Sequence, residues 1–335
     1  MKKIIYFLLV TLFIAVIFSS CDDKSTATDI KLDKEELILA VGVEATLKAS
    51  LIPLSASEKM IWSSSNSDVA VVESDDKAAS FSKGTVTGKS VGTAIIKVVT
   101  KNGKHSATCT VTVINPEPEM ILVEGGIFTM GCSDDECFDN ELPQHQVTLS
   151  SFKIAKYEIT QRQWEAVMGN KPSHTKGSDL PVETVSWNDV QNFITKLNNI
   201  TGKNYRLPTE AEWEFAARGG KKSEGYKYSG SNEIDAVAWH DKNSGSATQP
   251  VGTKAPNELG IYDMSGNVFE WCSDLFADYT EAPQTNPTGA ISGDRHITRG
   301  GSAIYPYKYA CRVSFRVHAL SGNSGRNIGF RLVHP

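Results

Sequence analysis

Few residues in this chain have the type and spacing to do chemistry. Five cysteines lie along its body, Cys109, Cys132, Cys137, Cys272 and Cys311, and a sixth, Cys21, lies near its start. A thiolate can bind a soft metal, attack an electrophile or pair as a disulfide, and the redox compartment selects among these. Cys132 and Cys137 are five apart in a stretch of loop composition, so a local disulfide between them is expected. Cys109 sits in Thr108 to Val113, where period-2 alternation puts it on one face with Val111 and Val113, and it reads as a free core thiol. The seven histidines, His105, His145, His174, His240, His296, His318 and His334, show no i, i+4 pairing or other metal-ligand spacing and read as polar surface or loop residues. With 34 Lys and Arg against 39 Asp and Glu, the formal charge of -5 leaves no positive surplus to follow a phosphate backbone, so nucleic acid is not an expected partner.

The N-terminus sets the compartment. Lys2 and Lys3 precede an apolar run from Ile4 to Phe18, shorter than the roughly 20 residues a membrane-spanning helix needs, so residues 1–20 read as a signal peptide. The run ends in Phe18-Ser19-Ser20-Cys21, which resembles a bacterial lipobox with Phe18 in place of the usual Leu. Cys21 is therefore the expected lipidation site, with residues 21–29 as a polar tether. The membrane would be a partner through that lipid, and the expected location is the cell envelope, at the outer membrane or cell surface. Export also makes the remaining cysteines candidates for disulfides, and because five is odd at least one stays unpaired.

Two folded regions follow. Over residues 30–114, short alternating β-branched runs separated by turn residues predict strands, among them Glu44 to Ile52, Gly84 to Lys89, Thr93 to Thr100 and His105 to Ile114. The run Ile61-Trp62-Ser63-Ser64-Ser65-Asn66, with Val69-Ala70-Val71-Val72, Gly84-Thr85-Val86-Thr87-Gly88 and Val91-Gly92-Thr93-Ala94, resembles the bacterial immunoglobulin-like group 2 domain. That resemblance implies an all-β sandwich, with Trp62 in its core, acting as a spacer. Residues 115–119, Asn-Pro-Glu-Pro-Glu, read as a short stiff linker. In the second region, 120–335, capping pairs Thr160/Gln163 and Thr209/Glu212 open two predicted helices. Ser186 caps a third, with Val190, Phe193, Ile194, Leu197 and Ile200 at helical spacing before Gly202 stops it. After Gly219 periodicity fades, which predicts a loop-rich half.

The second region carries a series of landmarks in order: Gly125-Gly126-Ile127-Phe128-Thr129-Met130-Gly131, Tyr157-Glu158-Ile159-Thr160, Pro181-Val182-Glu183-Thr184-Val185-Ser186-Trp187, and Arg206-Leu207-Pro208-Thr209-Glu210-Ala211-Glu212-Trp213-Glu214. Gly260-Ile261-Tyr262-Asp263-Met264-Ser265-Gly266-Asn267-Val268-Phe269-Glu270-Trp271, Arg299-Gly300-Gly301-Ser302 and Asn327-Ile328-Gly329-Phe330-Arg331 complete it. This series resembles the formylglycine-generating enzyme, or sulfatase-modifying factor, family. The resemblance implies an α+β, loop-rich, modified C-type-lectin-like fold.

The family's oxidases hold Cu(I) between two thiolates three and eight residues after Gly-Gly-Ser, positions that here are Tyr305 and Ala310, so copper is not expected. The iron-using branch relies on a separate His-rich helical domain, which residues 1–335 do not resemble, so iron chemistry of that kind is not expected. The family's calcium loop maps onto Asp263, Gly266, Val268 and Glu270, hard oxygens suited to a hard cation, with Asp263 replacing the usual Asn. Because the segment after Glu270-Trp271 packs near Gly-Gly-Ser in this fold, the resemblance also implies a Cys272–Cys311 disulfide. Its ligand-facing region corresponds to Ala303 to Asn327, where Tyr305, Tyr307, Tyr309, Arg312, Arg316 and His318 are the candidates for ligand contact. The expected function is a lipid-anchored envelope protein whose spacer presents a non-oxidase binding or structural module, its ligand a glycan or a protein. The alternatives are a formylglycine-generating-type metal-dependent oxidoreductase and a scaffold of an envelope or motility complex.

Overall fold

The computed structural model describes residues 26–74, 77–133 and 136–335. The signal peptide, Cys21 and the start of the tether lie outside the described residues. Among those described, no helix is long and apolar enough to cross a membrane.

The first domain is built from β1 (Asp29–Leu32), β2 (Glu36–Ala40), β3 (Glu44–Ile52), β4 (Glu58–Ser64), β5 (Ala70–Ser74), β6 (Ala78–Ala79), β7 (Phe81–Gly88), β8 (Gly92–Thr100) and β9 (Ser106–Ile114). They form two sheets, ordered β1-β3-β7-β5 and β2-β9-β8-β4-β6. Alternation supplies the sandwich core: Leu47, Ala49 and Leu51 of β3 meet Ile96, Val98, Cys109 and Val111 of the opposite sheet, all fully buried. Cys109 is the core thiol its alternation predicts, and burial lifts its pKa to about 11. Trp62 is half-buried and lies over Gly84, where an added Cβ would fall 2.8 Å from its ring, and its Nε1 donates to Ser82 Oγ at 3.0 Å.

The linker is fastened to the second domain. Glu117 accepts from Lys203 and, at 2.7 Å, from the Tyr205 hydroxyl, and Lys156 reaches Glu119 at 3.0 Å. Leu39 and Val43 of the sandwich face Val167, Met168 and Ile200 across a small apolar cleft.

The second domain begins with β10 (Met120–Val123), β11 (Gly126–Met130), β12 (His145–Leu149) and β13 (Phe152–Ala155), followed by α1 (Gln161–Met168), α2 (Trp187–Thr201), α3 (Glu210–Ala217) and the single turn α4 (Ile234–Val237). All three predicted helices form, each with its capping box: the hydroxyls of Thr160, Ser186 and Thr209 accept from the amide three residues on. Gly169 and Gly202 end α1 and α2 in the left-handed conformation. The stripe of α2 buries Val190, Phe193, Ile194 and Leu197 against Trp164, Trp271 and Phe330, at roughly 1.5–3 kcal/mol for each large side chain buried.

Beyond α4, regular structure is sparse. β14 (Phe269–Leu275), β15 (Gln284–Thr285), β16 (Arg295–Arg299), β17 (Arg316–Leu320), β18 (Ile328–Gly329) and β19 (Val333–His334) complete three small sheets, β10-β13-β19, β11-β12-β15 and β17-β16-β14-β18. What secures these loops is a set of buried ion pairs. Arg299 meets Glu214, Arg312 meets Glu141 at 2.8 Å, Arg316 meets Glu210 at 2.7 Å and Arg331 meets Glu270 at 2.7 Å, with all four arginines buried. Glu214 is held below the ordinary carboxylate range: its burial works the other way, but Arg218 and Arg299 outweigh it.

The cysteines divide. Cys132 and Cys137 form the expected disulfide, with Cα atoms 5.6 Å apart. The implied Cys272–Cys311 disulfide does not form, and both thiols are free and buried. Period-2 alternation along β14 explains Cys272: Trp271 points into the α2 cluster, so Cys272 points the other way, among Trp213, Met264 and Ile297. Cys311 lies instead with Tyr228, Val237 and Ala238, against the backbone of Gly301. Burial pushes Cys272 well above the ordinary thiol pKa and Cys311 to about 12.

Candidate functional site

The expected calcium ligands come together, and their carboxylates take hydrogen bonds from protein groups. Both oxygens of the buried Glu270 carboxylate are held at 2.7 Å by Arg331, and Trp213 Nε1 donates to Oε2 at 2.8 Å. Asp263 Oδ2 accepts the Gly252 amide at 2.7 Å. The backbone amide of Val268 donates to Glu158, whose second oxygen takes Asn267 Nδ2 at 2.6 Å. Gly266 lies against Trp239, where an added Cβ would fall 2.2 Å from a carbonyl oxygen, and its φ of +86° is open to glycine at no steric cost. Among the described residues, no group of three or more His, Cys, Asp or Glu is placed to hold a metal. The carboxylates of Glu270, Glu158 and Asp263 surround Arg331. Burial drives Asp263 up to about 6, and burial with the charges of Asp263 and Glu270 drives Glu158 well above its ordinary range.

The two positions at which the resemblance would place copper-binding thiols lie together. Tyr305 and Ala310 belong to one cluster with Phe269, Tyr309 and Phe315, and Phe269 meets Tyr305 edge-on at 5.3 Å. Aromatic and methyl groups fill the place a bis-thiolate would need, and a soft Cu(I) finds no soft ligand among them. Cys311, one position on, is held in its protonated form by burial and turns toward Tyr228, away from this cluster.

From this cluster an aromatic strip runs outward. Tyr305 packs on Tyr307 at 5.6 Å, Tyr307 stacks on Tyr309 at 5.2 Å, and Tyr309 packs on Phe138 at 5.2 Å and on Phe315 at 5.5 Å. Tyr307 is 52% exposed and Phe138 43%, so the strip offers solvent large, rigid, amphipathic rings. The predicted residues Tyr305, Tyr307 and Tyr309 are thus joined on one face.

Arg312 and Arg316 are not on it. Both are fully buried, and long charged side chains can be buried at modest cost only when paired, as these are with Glu141 and Glu210. They position the strip from behind. Glu141 Oε2, held by Arg312, also accepts the Phe138 amide at 2.7 Å, and Asn140 Nδ2 donates to the Arg316 carbonyl at 3.1 Å. His318 lies elsewhere, half-buried and edge-on to Phe276 at 4.4 Å beside Arg295. Phe138 and Phe269 are the members sequence reasoning missed. Phe269 sits inside a quoted landmark, whereas Phe138 is about 170 residues away from the tyrosines and nothing in its local pattern points to them.

Comparison with known proteins agrees with this architecture. The family described as "Bacterial Ig-like domain (group 2)" matches residues 26–111, and "Sulfatase-modifying factor enzyme 1-like domain" matches residues 107–335. "Chaperone protein LppX" of Paenibacillus barcinonensis is 38% identical over 265 residues, covering 64% of this chain and 89% of that protein. A "Formylglycine-generating enzyme" of Thermomonospora curvata is 31% identical over 286 residues, covering 63% and 92%. Among solved structures, Treponema denticola variable protein 1 superposes with a TM-score of 0.60 at 32% identity, covering 64% of this chain and 94% of that one. PvdO from Pseudomonas aeruginosa superposes with a TM-score of 0.58 at 31% identity, covering 66% and 95%. The ordered landmarks, the capped helices and the match over 107–335 lead to one conclusion: the chain belongs to the sulfatase-modifying factor enzyme 1-like family and carries a group 2 bacterial Ig-like domain ahead of it.

Proposed function

We propose that this chain is a lipid-anchored cell-envelope protein whose Ig-like domain presents a non-oxidase binding module, and that the Tyr305–Tyr307–Tyr309–Phe138 strip is its contact surface. The observation that carries this reading is the replacement of the thiol pair by Tyr305 and Ala310 inside an aromatic cluster. Removing the soft ligands removes the copper chemistry, and the same substitution creates an exposed aromatic face of the kind that dominates protein contacts. A relative whose name is a chaperone protein supports a polypeptide as the ligand rather than a glycan. The linker pinned by Glu117 and Glu119 would hold that face at a set orientation on its spacer.

The test uses the purified chain beginning at Asp22. It is loaded with Cu(I), assayed for oxygen-dependent turnover of a Cys-containing peptide, and used with its Tyr307→Ala variant to capture envelope proteins. The proposal expects no stoichiometric copper, no turnover, and captured proteins lost with Tyr307→Ala. Copper bound one-to-one with turnover refutes it in favour of the oxidase reading, which the relatives named formylglycine-generating enzyme favour.

A further inference from the structure

A second feature lies apart from the aromatic strip, at the junction of β12, α3 and the loop after β14. A cavity of about 260 Å3 is bounded there by His145, Glu210, Asp274, Tyr279 and Arg316, with apolar walls that include Met130 and Leu275. Its rim, Ala277, Asp278, Thr288 and Gly289, is exposed, so the cavity opens to solvent. This volume lies just under the roughly 300–1,000 Å3 of ordinary small-molecule pockets and suits a ligand head of side-chain size.

The hydrogen-bonding inventory of the walls decides what kind of head. Arg316 is committed to protein partners: Nε and Nη2 hold the two oxygens of Glu210 at 2.7 Å, and Nη1 donates to the carbonyls of Asn140 and Ala277 at 3.0 Å. Glu210 is spent on the same pair. Asp274 is different. Its Oδ2 accepts from the Glu210 amide at 3.1 Å and from Ser273 Oγ at 2.8 Å, while among the described residues its Oδ1 accepts from no group. Asp274 is only 4% exposed and lines the cavity, so an oxygen without a hydrogen bond from the protein is the part of it left to the cavity. His145, 5% exposed, adds another acceptor. Its Nδ1 lies 3.2 Å from the Pro143 carbonyl, which can only accept, so in the neutral ring the proton sits on Nδ1 and Nε2 presents a lone pair. The lining thus holds three carboxylates, Glu210, Asp274 and Asp278, against one guanidinium that Glu210 already pairs.

A site with spare acceptors and surplus negative charge selects a donor-rich cation. We propose that this cavity binds the ammonium or guanidinium head of a basic ligand, with Asp274 Oδ1 as its counter-ion, His145 Nε2 as a second acceptor and Asp278 at the mouth. An anion would meet the carboxylates of Asp274 and Asp278, with the Arg316 guanidinium already held by Glu210. A bulky apolar ligand would leave Asp274 buried and unpartnered. The site is independent of the aromatic strip, and its occupant is either a free amine or a basic side chain of a polypeptide.

Calorimetric titration of the full chain with agmatine and, separately, with N-acetyl-Gly-Arg-Gly-amide tests this. Saturable one-to-one binding is expected, weakened at least tenfold by Asp274→Asn, which keeps the side-chain shape, and by Ala290→Leu, which fills the cavity and leaves every charge in place. Binding of agmatine alone supports a free amine as the occupant, and binding of the peptide supports a chain-borne arginine. The absence of saturable binding by either probe overturns the proposal. So does an affinity within twofold of the parent in both variants.

Discussion

Asp263 offers the sharpest test of how the buried carboxylates around Arg331 behave. Its carboxyl is buried and its backbone is left-handed, with φ +59°. Among the described residues its side chain accepts one hydrogen bond, from the Gly252 amide. Asp263→Asn preserves that acceptor, and Asn tolerates the left-handed conformation, so the substitution removes a charge and little else. Burial raises this carboxyl from its ordinary 3.8 to about 6 in the folded chain. Between those values the unfolded chain has already lost its proton and the folded chain keeps it. The contribution of Asp263 to stability is therefore fully present below pH 3.8, falls as pH rises toward 6, and is flat above that. At about 1.4 kcal/mol per pH unit the loss amounts to about 3 kcal/mol. The Asn variant avoids it. Urea unfolding at pH 7.5 in the presence of EGTA is expected to show Asp263→Asn more stable than the parent by about 3 kcal/mol at most, and at pH 3.5 to show the two equal. A variant that is no more stable at pH 7.5, or equally stabilised at both pH values, refutes the reasoning. Repeating the measurement with calcium adds a second readout: a midpoint that calcium raises in the parent but not in the variant would mean that Asp263 and its neighbours hold the ion after all.

Other measurements probe the remaining elements. The chain beginning at Asp22 is expected to give three titratable thiols in denaturant, Cys109, Cys272 and Cys311, and none that reacts promptly when folded; a count of one would restore the Cys272–Cys311 disulfide. Glu141→Gln removes the carboxylate that the buried Arg312 guanidinium meets at 2.8 Å and is expected to cost about 3–5 kcal/mol in chemical denaturation, while a loss below 1 kcal/mol would show that the pair does not anchor the strip. Gly266→Ala forces a Cβ to within 2.2 Å of the Trp239 carbonyl oxygen and is expected to abolish soluble expression or lower the melting temperature by more than about 8 °C. Reducing Cys132–Cys137 releases a short loop worth about 2 kcal/mol by chain entropy, and is expected to raise hydrogen exchange at the Phe138 amide more than at the Tyr307 amide.

Much of the fold was legible because its signals are local. A capping hydroxyl and its partner three residues on are set by one turn of chain, so Thr160, Ser186 and Thr209 mark three helix starts without reference to anything distant. Alternation over a few residues likewise puts Cys109 on the inner face of its sheet before any sheet is known. The Cys132–Cys137 bridge closes only five residues and needed no tertiary information. The Cys272–Cys311 pairing failed because it required knowing which way each side chain points, and a single step along β14 turns Cys272 into a different part of the core from Cys311.

Arginine shows the limit most clearly. In sequence, Arg312 and Arg316 beside three tyrosines look like a ligand surface, because an exposed and a buried arginine are written with the same letter. Only the folded chain brings Glu141 and Glu210 to them across 171 and 106 residues, and a guanidinium that meets a carboxylate in the interior remains there. The same is true of Glu270, which meets Arg331 in the interior, and of Asp274, whose oxygen without a hydrogen bond matters only because a cavity opens beside it. The sequence by itself determined the two domains, their strand and helix periodicity, the family and the loss of the thiol pair, all properties of residue identity at a position or of short-range pattern. Tertiary structure decided which charges are paired, which aromatics reach solvent and which acceptors are left over, because pairing and burial depend on what distant segments bring to the same point in space.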